Sequence, residues 1–144
     1  MWYESKAKFE QVQEDGCTKM VTESYMVDAL TFTEAEARTM EEVAQYVSGE
    51  LDVVALKRTN IKEVRYNANG DKWYNCKLVF ITLDEKSGKE KKTSYNVLVQ
   101  ASSIEDGKKQ VELLMQGSMQ DWELKSITET NIMDVYAHGG ATQA

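Results

Sequence analysis

Apolar and polar residues alternate along residues 2–12. Tyr3, Ala7 and Phe9 fall on one side of an extended chain, and Trp2, Glu4, Lys6 and Lys8 fall on the other. This two-residue period predicts a half-buried β-strand. After the turn residues Glu14-Asp15-Gly16, Val21, Tyr25 and Val27 take one face and Thr22 and Ser24 the opposite one, so the two segments predict an antiparallel hairpin. The period then lengthens. Thr33-Glu34-Ala35-Glu36 has the hydroxyl and, three places on, the carboxylate of a capping box, with Phe32 just outside it. Ala37, Met40, Ala44 and Val47, three and four apart, form the apolar stripe expected of a helix that stops at Ser48-Gly49. One last extended stretch is predicted over residues 53–66.

The same plan is then written a second time. Trp2-Tyr3 returns as Trp73-Tyr74, and at the same offset of 71 Lys6 answers Lys77, Phe9 answers Phe80, Glu14 answers Glu85 and Thr22 answers Thr93. At the far end Thr59-Asn60-Ile61 falls on Thr130-Asn131-Ile132 and Glu63-Val64 on Asp134-Val135, while the helix between realigns with a one-residue slip. In the second copy Tyr74, Cys76, Leu78 and Phe80 share a strand face, Asp84-Glu85-Lys86-Ser87-Gly88 turns the hairpin, and Tyr95, Val97 and Val99 continue toward a helix. That helix is expected to start at Ser103-Ile104-Glu105-Asp106, to bury Val111, Leu114 and Met115, and to end at Gly117-Ser118. Asn67-Ala68-Asn69-Gly70-Asp71 joins the copies.

The expected fold class is therefore α+β: internally duplicated ββαβ units, a mostly antiparallel sheet with two helices on one face, and the other face open. Two ferredoxin-like halves side by side are an alternative assembly of the same elements. The expected organisation is a single domain over residues 1–137 made of two pseudo-symmetric repeats, 1–67 and 72–137, followed by a flexible tail at 138–144.

The segments WYESKAKFEQVQEDG, SYMVDALTFTEAEAR, KLVFITLDEKSGKEKKT and TETNIMDVY together resemble the domain-of-unknown-function family 4494 of Bacteroides-like bacteria and their phages and mobile elements. The resemblance spans the chain up to the tail that begins at His138. It implies a cytoplasmic protein in a phage or mobile-element setting, where small non-enzymatic proteins are common, and it brings no functional residues with it.

Composition narrows the function classes. The 144 residues are 42% hydrophobic and 28% charged, those of a packed globular protein, and proline is absent. Seventeen basic against 24 acidic side chains leave a net charge of -7, which repels polyanions except at a local basic patch. By halves, residues 1–70 carry 8 basic and 13 acidic side chains (-5) and residues 71–144 carry 9 and 11 (-2), so the second half is the better polyanion binder. No run reaches the ~18 apolar residues of a membrane helix, and the first residues lack a signal segment, which points to the cytoplasm and to no membrane partner. Cys17 and Cys76 stand alone and read as reduced thiols. A monomer or a small homo-oligomer fits the duplication equally.

The inventory is poor in catalytic sets. His138 is the only histidine and lies in a Gly-rich tail, so triad chemistry lacks a well-placed base. No Walker or dinucleotide glycine pattern is present, no cofactor is implied, and His138, Cys17 and Cys76 are too scattered for a metal site. Glu34, Glu36, Glu41 and Glu42 are the densest carboxylates for a divalent cation, yet the first helical turn and a solvated face account for them better. The reading is of no enzyme, with a carboxylate-metal hydrolase third among the possibilities.

The more pointed pattern pairs aromatics with bases. If Tyr3 and Tyr74 face the core, alternation sends Trp2 and Lys6 to the other face in one copy and Trp73 and Lys77 in the other. On an open sheet that equipment suits single-stranded nucleic acid, with Trp2 and Trp73 stacking bases and Lys6, Lys8, Lys77 and Arg58 meeting phosphates. Packing is the plainer reading of both tryptophans. Lys57, Lys62 and Arg65 could extend the stripe, whereas Lys86, Lys89, Lys91 and Lys92, interleaved with Glu90, read as a solvated hairpin tip. The rival class is a protein-interaction or inhibitor module whose acidic surface meets a basic protein partner.

Overall fold

The computed structural model describes residues 1–138. The strands are β1 (Trp2–Val12), β2 (Thr18–Asp28), β3 (Leu51–Arg58), β4 (Ile61–Arg65), β5 (Lys72–Leu83), β6 (Glu90–Ala101), β7 (Asp121–Glu129) and β8 (Ile132–Tyr136). The helices are α1 (Phe32–Ala44) and α2 (Ile104–Leu114). The fold is α+β, as the periodicity indicates, but each predicted final strand is two strands. The break falls on the duplicated Thr-Asn-Ile. Thr59 donates its backbone N–H and its hydroxyl to the Trp2 carbonyl at 3.0 and 2.7 Å, and Thr130 does the same to the Trp73 carbonyl at 2.9 and 2.8 Å. The strand that follows each clamp belongs to the other half. β4 pairs in parallel with β6, and β8 pairs in parallel with β2, giving sheets ordered β3-β1-β2-β8 and β4-β6-β5-β7. Among the described residues the compact units are accordingly Met1–Thr59 with 131–138, and Asn60–Thr130, whereas the sequence repeats run 1–67 and 72–137.

Within the first unit α1 covers one face of its sheet. Ala7, Phe9, Tyr25, Val27, Val43 and Tyr136 form one core cluster, and Tyr3, Ala29 and Ala35 a second. Burying a side chain of the size of Val27 or Val43 contributes ~1.5–3 kcal/mol. In the second unit Tyr74, Cys76, Leu78, Val97, Val99, Val111 and Met115 play the same part under α2. The first helix departs from its predicted frame. Thr31 is its N-cap, accepting from the Glu34 N–H at 3.1 Å, while Glu34 accepts from the Leu30 N–H, so the box is Thr31-Phe32-Thr33-Glu34 and lies two residues early. Its buried positions are Ala35, Thr39 and Val43, and Ala37, Met40 and Ala44 face solvent. A threonine can hold a core position because its hydroxyl is satisfied there, by the Ala35 carbonyl at 2.8 Å and the Ser5 hydroxyl at 2.9 Å. The second helix keeps its predicted cap, with Ser103 accepting from the Asp106 N–H at 3.1 Å.

Register locates the slip between the copies. Tyr3 pairs with Val27 and Tyr74 with Val99, so an offset of 71 on the first strand becomes 72 on the second. The extra residue lies in the hairpin loop, which is 13–17 in one copy and 84–89 in the other. Thr22 therefore matches Ser94, not Thr93. The face away from the helix is not uniformly open either. On β2, Ser24 and Met26 are buried there, as are Val79 and Leu98 in the second unit. Gly70, in the joining segment, touches β6 so closely that a Cβ would lie 2.6 Å from the Ala101 N and Cα. Beyond His138 the predicted tail lies outside the described residues.

Candidate functional site

Strand alternation puts Trp2, Glu4, Lys6, Lys8 and Glu10 on the face of β1 opposite the core. Lys6 and Lys8 are exposed and Trp2 is half-buried. Their surroundings are acidic. Glu4 is held by Lys57 at 3.0 Å, and Lys8 shares a shallow depression with Glu10, Glu50 and Asp52. Arg58 pairs across β1 with Tyr3, so it projects to the helix side, where its guanidinium sits 5.2 Å from the Phe32 ring centre. It is therefore not on the lysine face. In the second unit Lys77 is exposed, but Trp73 is only 4% exposed and stands edge-on to Tyr66 at 5.6 Å. A base could not stack on that indole without displacing its packing. Of the six predicted contact residues, Trp2, Lys6 and Lys8 share one strand face, Lys77 lies alone on the second unit, and Trp73 and Arg58 are engaged in packing.

The strand exchange also redistributes charge. Residues 1–59 with 131–138 carry 6 basic and 13 acidic side chains, whereas residues 60–130 carry 11 of each. The whole net charge of -7 thus resides on the first unit, a sharper division than the -5 and -2 of the sequence halves. Moving Lys62, Glu63 and Arg65 out on β4 and bringing Asp134 in on β8 accounts for the change.

Each unit has a concavity at the same place in the repeat, where the helix C-terminus, the far end of the central hairpin and the exchanged strand meet. In the first unit it measures about 460 Å³ and is walled by Phe9, Tyr25, Val43, Tyr46 and Tyr136, with Glu10, Glu23 and Asp134 among its polar groups. No lysine, arginine or histidine is among its described lining residues. Tyr25 and Tyr136 stack at 5.7 Å, and the Tyr25 hydroxyl donates to Glu23 at 2.7 Å. Burial first, and then the carboxylates Glu23 and Asp134, push both phenols far above their ordinary range. The second unit's counterpart, about 450 Å³, contains Phe80, Tyr95, Met115, Gln116 and Gln120 and one carboxylate, Glu63, which accepts from the Tyr95 hydroxyl at 3.0 Å. Phe9 matches Phe80, Val43 matches Met115 and Asp134 matches Glu63. Sequence reasoning placed Tyr25 in the core and passed over the pocket; the one available signal was an acid retained in both copies at Glu63 and Asp134.

The other candidates do not converge. Among the described residues no group of three or more His, Cys, Asp or Glu side chains could hold a metal ion. Glu34 meets His138 Nε2 at 2.9 Å, Glu42 meets Arg38 at 3.0 Å, and Glu36 and Glu41 are exposed on α1. Cys76 is buried and its thiol is pushed up to about 12 by that burial, while Cys17 is exposed in the first hairpin loop. Among the described residues no helix is long and apolar enough to cross a membrane.

No curated protein and no solved structure matches the chain. A family model described as Domain of unknown function (DUF4494) matches residues 1–138. With strand clamps, exchanged strands and paired concavities all lying inside that span, the chain belongs to the DUF4494 family.

Proposed function

We propose that the protein is a non-enzymatic binding module that docks, through its first unit, on the positively charged surface of a protein partner, in the cytoplasmic phage or mobile-element setting that the family resemblance implies. The observation that carries this reading is the segregation of charge: 13 acidic against 6 basic side chains on the first unit and 11 against 11 on the second. A field of one sign on one compact body steers an oppositely charged partner and orients it on arrival. The test is fluorescence anisotropy with a labelled oligoarginine peptide and, separately, a labelled oligothymidylate, each at low and at physiological salt. The expected result is peptide binding that weakens with salt and no response from the oligonucleotide. Binding of the oligonucleotide alone would reverse the proposal.

That second outcome would favour a single-strand binder, the reading supported by the exposed Lys6, Lys8 and Lys77 and the half-exposed Trp2. A log-linear fall of affinity with salt would then count the phosphate contacts. Trp73 and Arg58 would have no part in it as they stand. The lysine-bearing hairpin tip of the electrically neutral second unit, with Lys86, Lys89, Lys91 and Lys92, would be the first place to look.

A further inference from the structure

The two concavities occupy equivalent positions, so their existence follows from the repeat fold: a helix that ends above the hairpin leaves a hollow bounded by the exchanged strand. What the fold does not dictate is the chemistry placed there. In the second unit the hollow has a single carboxylate, already bonded to a tyrosine, with glutamines at its rim. In the first unit the same hollow has three tyrosines and three carboxylates and no cation among its described lining residues. Two apolar side chains at its mouth, Val12 and Met133, are 67% and 58% exposed, and Tyr46 is 78% exposed, a large apolar investment left in water.

We infer that this hollow of the first unit is a receptor for an arginine side chain presented by a protein partner. Each part of such a side chain has a matching surface. The guanidinium is flat, always charged and weakly hydrated, so it stacks on a phenol ring while its N–H fork meets a carboxylate. Tyr46, 78% exposed just past the helix end, supplies the ring, while the buried, stacked pair Tyr25 and Tyr136 forms the wall behind it; Asp134 and Glu10, both exposed, supply carboxylates, Asp134 Oδ1 already accepting from the Val135 N–H at 2.8 Å. Glu23 contributes charge while its hydrogen bond to Tyr25 keeps that ring in place. Val12 and Met133 cover the aliphatic stem. A lysine would satisfy the charge but not the planar stacking or the two-point hydrogen bond. The occupant needs to be part of a protein, because one side chain fills only a fraction of a 460 Å³ open hollow and neighbouring residues must cover the rim.

This inference rests on the acidic-surface reading above, and the experiment separates the two. Octa-arginine and octa-lysine peptides are titrated into the intact protein and into three variants: Asp134→Asn, Tyr46→Ala, and the double variant Glu36→Gln/Glu41→Gln, which removes two exposed carboxylates of α1 outside the hollow. The expected results are about tenfold tighter binding of the arginine peptide than of the lysine peptide, and about a five- to tenfold loss in Asp134→Asn and in Tyr46→Ala. The α1 double variant should stay within about twofold, as screened exposed charges do. Equal affinity for the two peptides, with losses that follow only the number of charges removed, would overturn the receptor and leave the acidic surface standing. No binding of either peptide at low salt would remove both. Both single positions are exposed, so the variants should fold; far-UV circular dichroism checks it.

Discussion

The buried hydroxyl pair of Ser5 and Thr39 allows a test of how the two halves diverged. Both residues are 0% exposed, their oxygens are 2.9 Å apart, and Thr39 also meets the Ala35 carbonyl at 2.8 Å. The matching positions of the second unit are Cys76 and Val111, also 0% exposed and in one apolar cluster. The same site has thus been solved once with a hydrogen bond and once without. Thr39→Val conserves shape, opens no cavity and strands the Ser5 hydroxyl, a loss of about 1–3 kcal/mol. Ser5→Cys leaves Thr39 its bond to Ala35 and should lose about 0.5–1.5 kcal/mol. Neither hydroxyl remains in the double variant, which copies the second unit's pair, so it should fall within about 1 kcal/mol of the parent. Urea unfolding followed by far-UV circular dichroism gives the cycle, and thermal midpoints should move ~2–4 °C per kcal/mol in a chain of this size. Additivity within about 0.5 kcal/mol would refute the reasoning, as would a double variant no more stable than Thr39→Val.

Further predictions address the backbone, the thiols and the tyrosines. Gly70→Ala should destabilise by about 1–3 kcal/mol or more, because the new Cβ meets backbone atoms of Ala101 at 2.6–2.7 Å that cannot swing away. Gly49→Ala, with nothing within 4 Å, should stay within about 0.5 kcal/mol; equal thermal shifts would contradict the close approach. In native protein at mildly alkaline pH a thiol reagent should modify Cys17 and spare Cys76, whose thiol is held near 12 by burial, with the second equivalent appearing only in denaturant. Tyr25 and Tyr136 both titrate above the ordinary tyrosine value of 10.0 when folded, so the unfolded chain releases these protons first. The stability they contribute is complete below pH 10 and is lost as the pH climbs past it. Their phenolate absorbance should therefore rise together with the unfolding transition; early independent titration would show the pair to be less buried than described.

Much of the candidate chemistry was legible only in part. The lysines of β1 could be assigned to a face because alternation along a single strand is a local property. Arg58 could not, since its side depends on the register of β3 against β1, and that register contains a bulge between Lys6 and Ala7. Packing was already the plainer reading of Trp73, but its partner was not legible: Tyr66 lies just past β4, whose sheet partner is β6, far along the sequence. The hollow of the first unit combines residues from the first hairpin, the end of α1 and β8, and no local pattern joins positions that far apart.

By itself the sequence determined what depends on neighbours along the chain. Two-residue alternation specified the hairpins, three-to-four spacing and Ser or Thr caps announced two helices without fixing the cap or the buried face of the first, and the offset of 71 declared the duplication. The duplicated Thr-Asn-Ile was visible as a repeat without its meaning. Only the tertiary structure decided that the threonine clamps the Trp carbonyl and ends one strand, and that the next strand completes the other half's sheet in parallel. Periodicity cannot foresee this, because a five-residue strand has the same alternation whichever sheet accepts it. That choice of partner moved Lys62, Glu63 and Arg65 out of the first unit and brought Asp134 into it. It thereby placed the full charge of -7, and the acidic hollow, on one of two units that repeat the same plan.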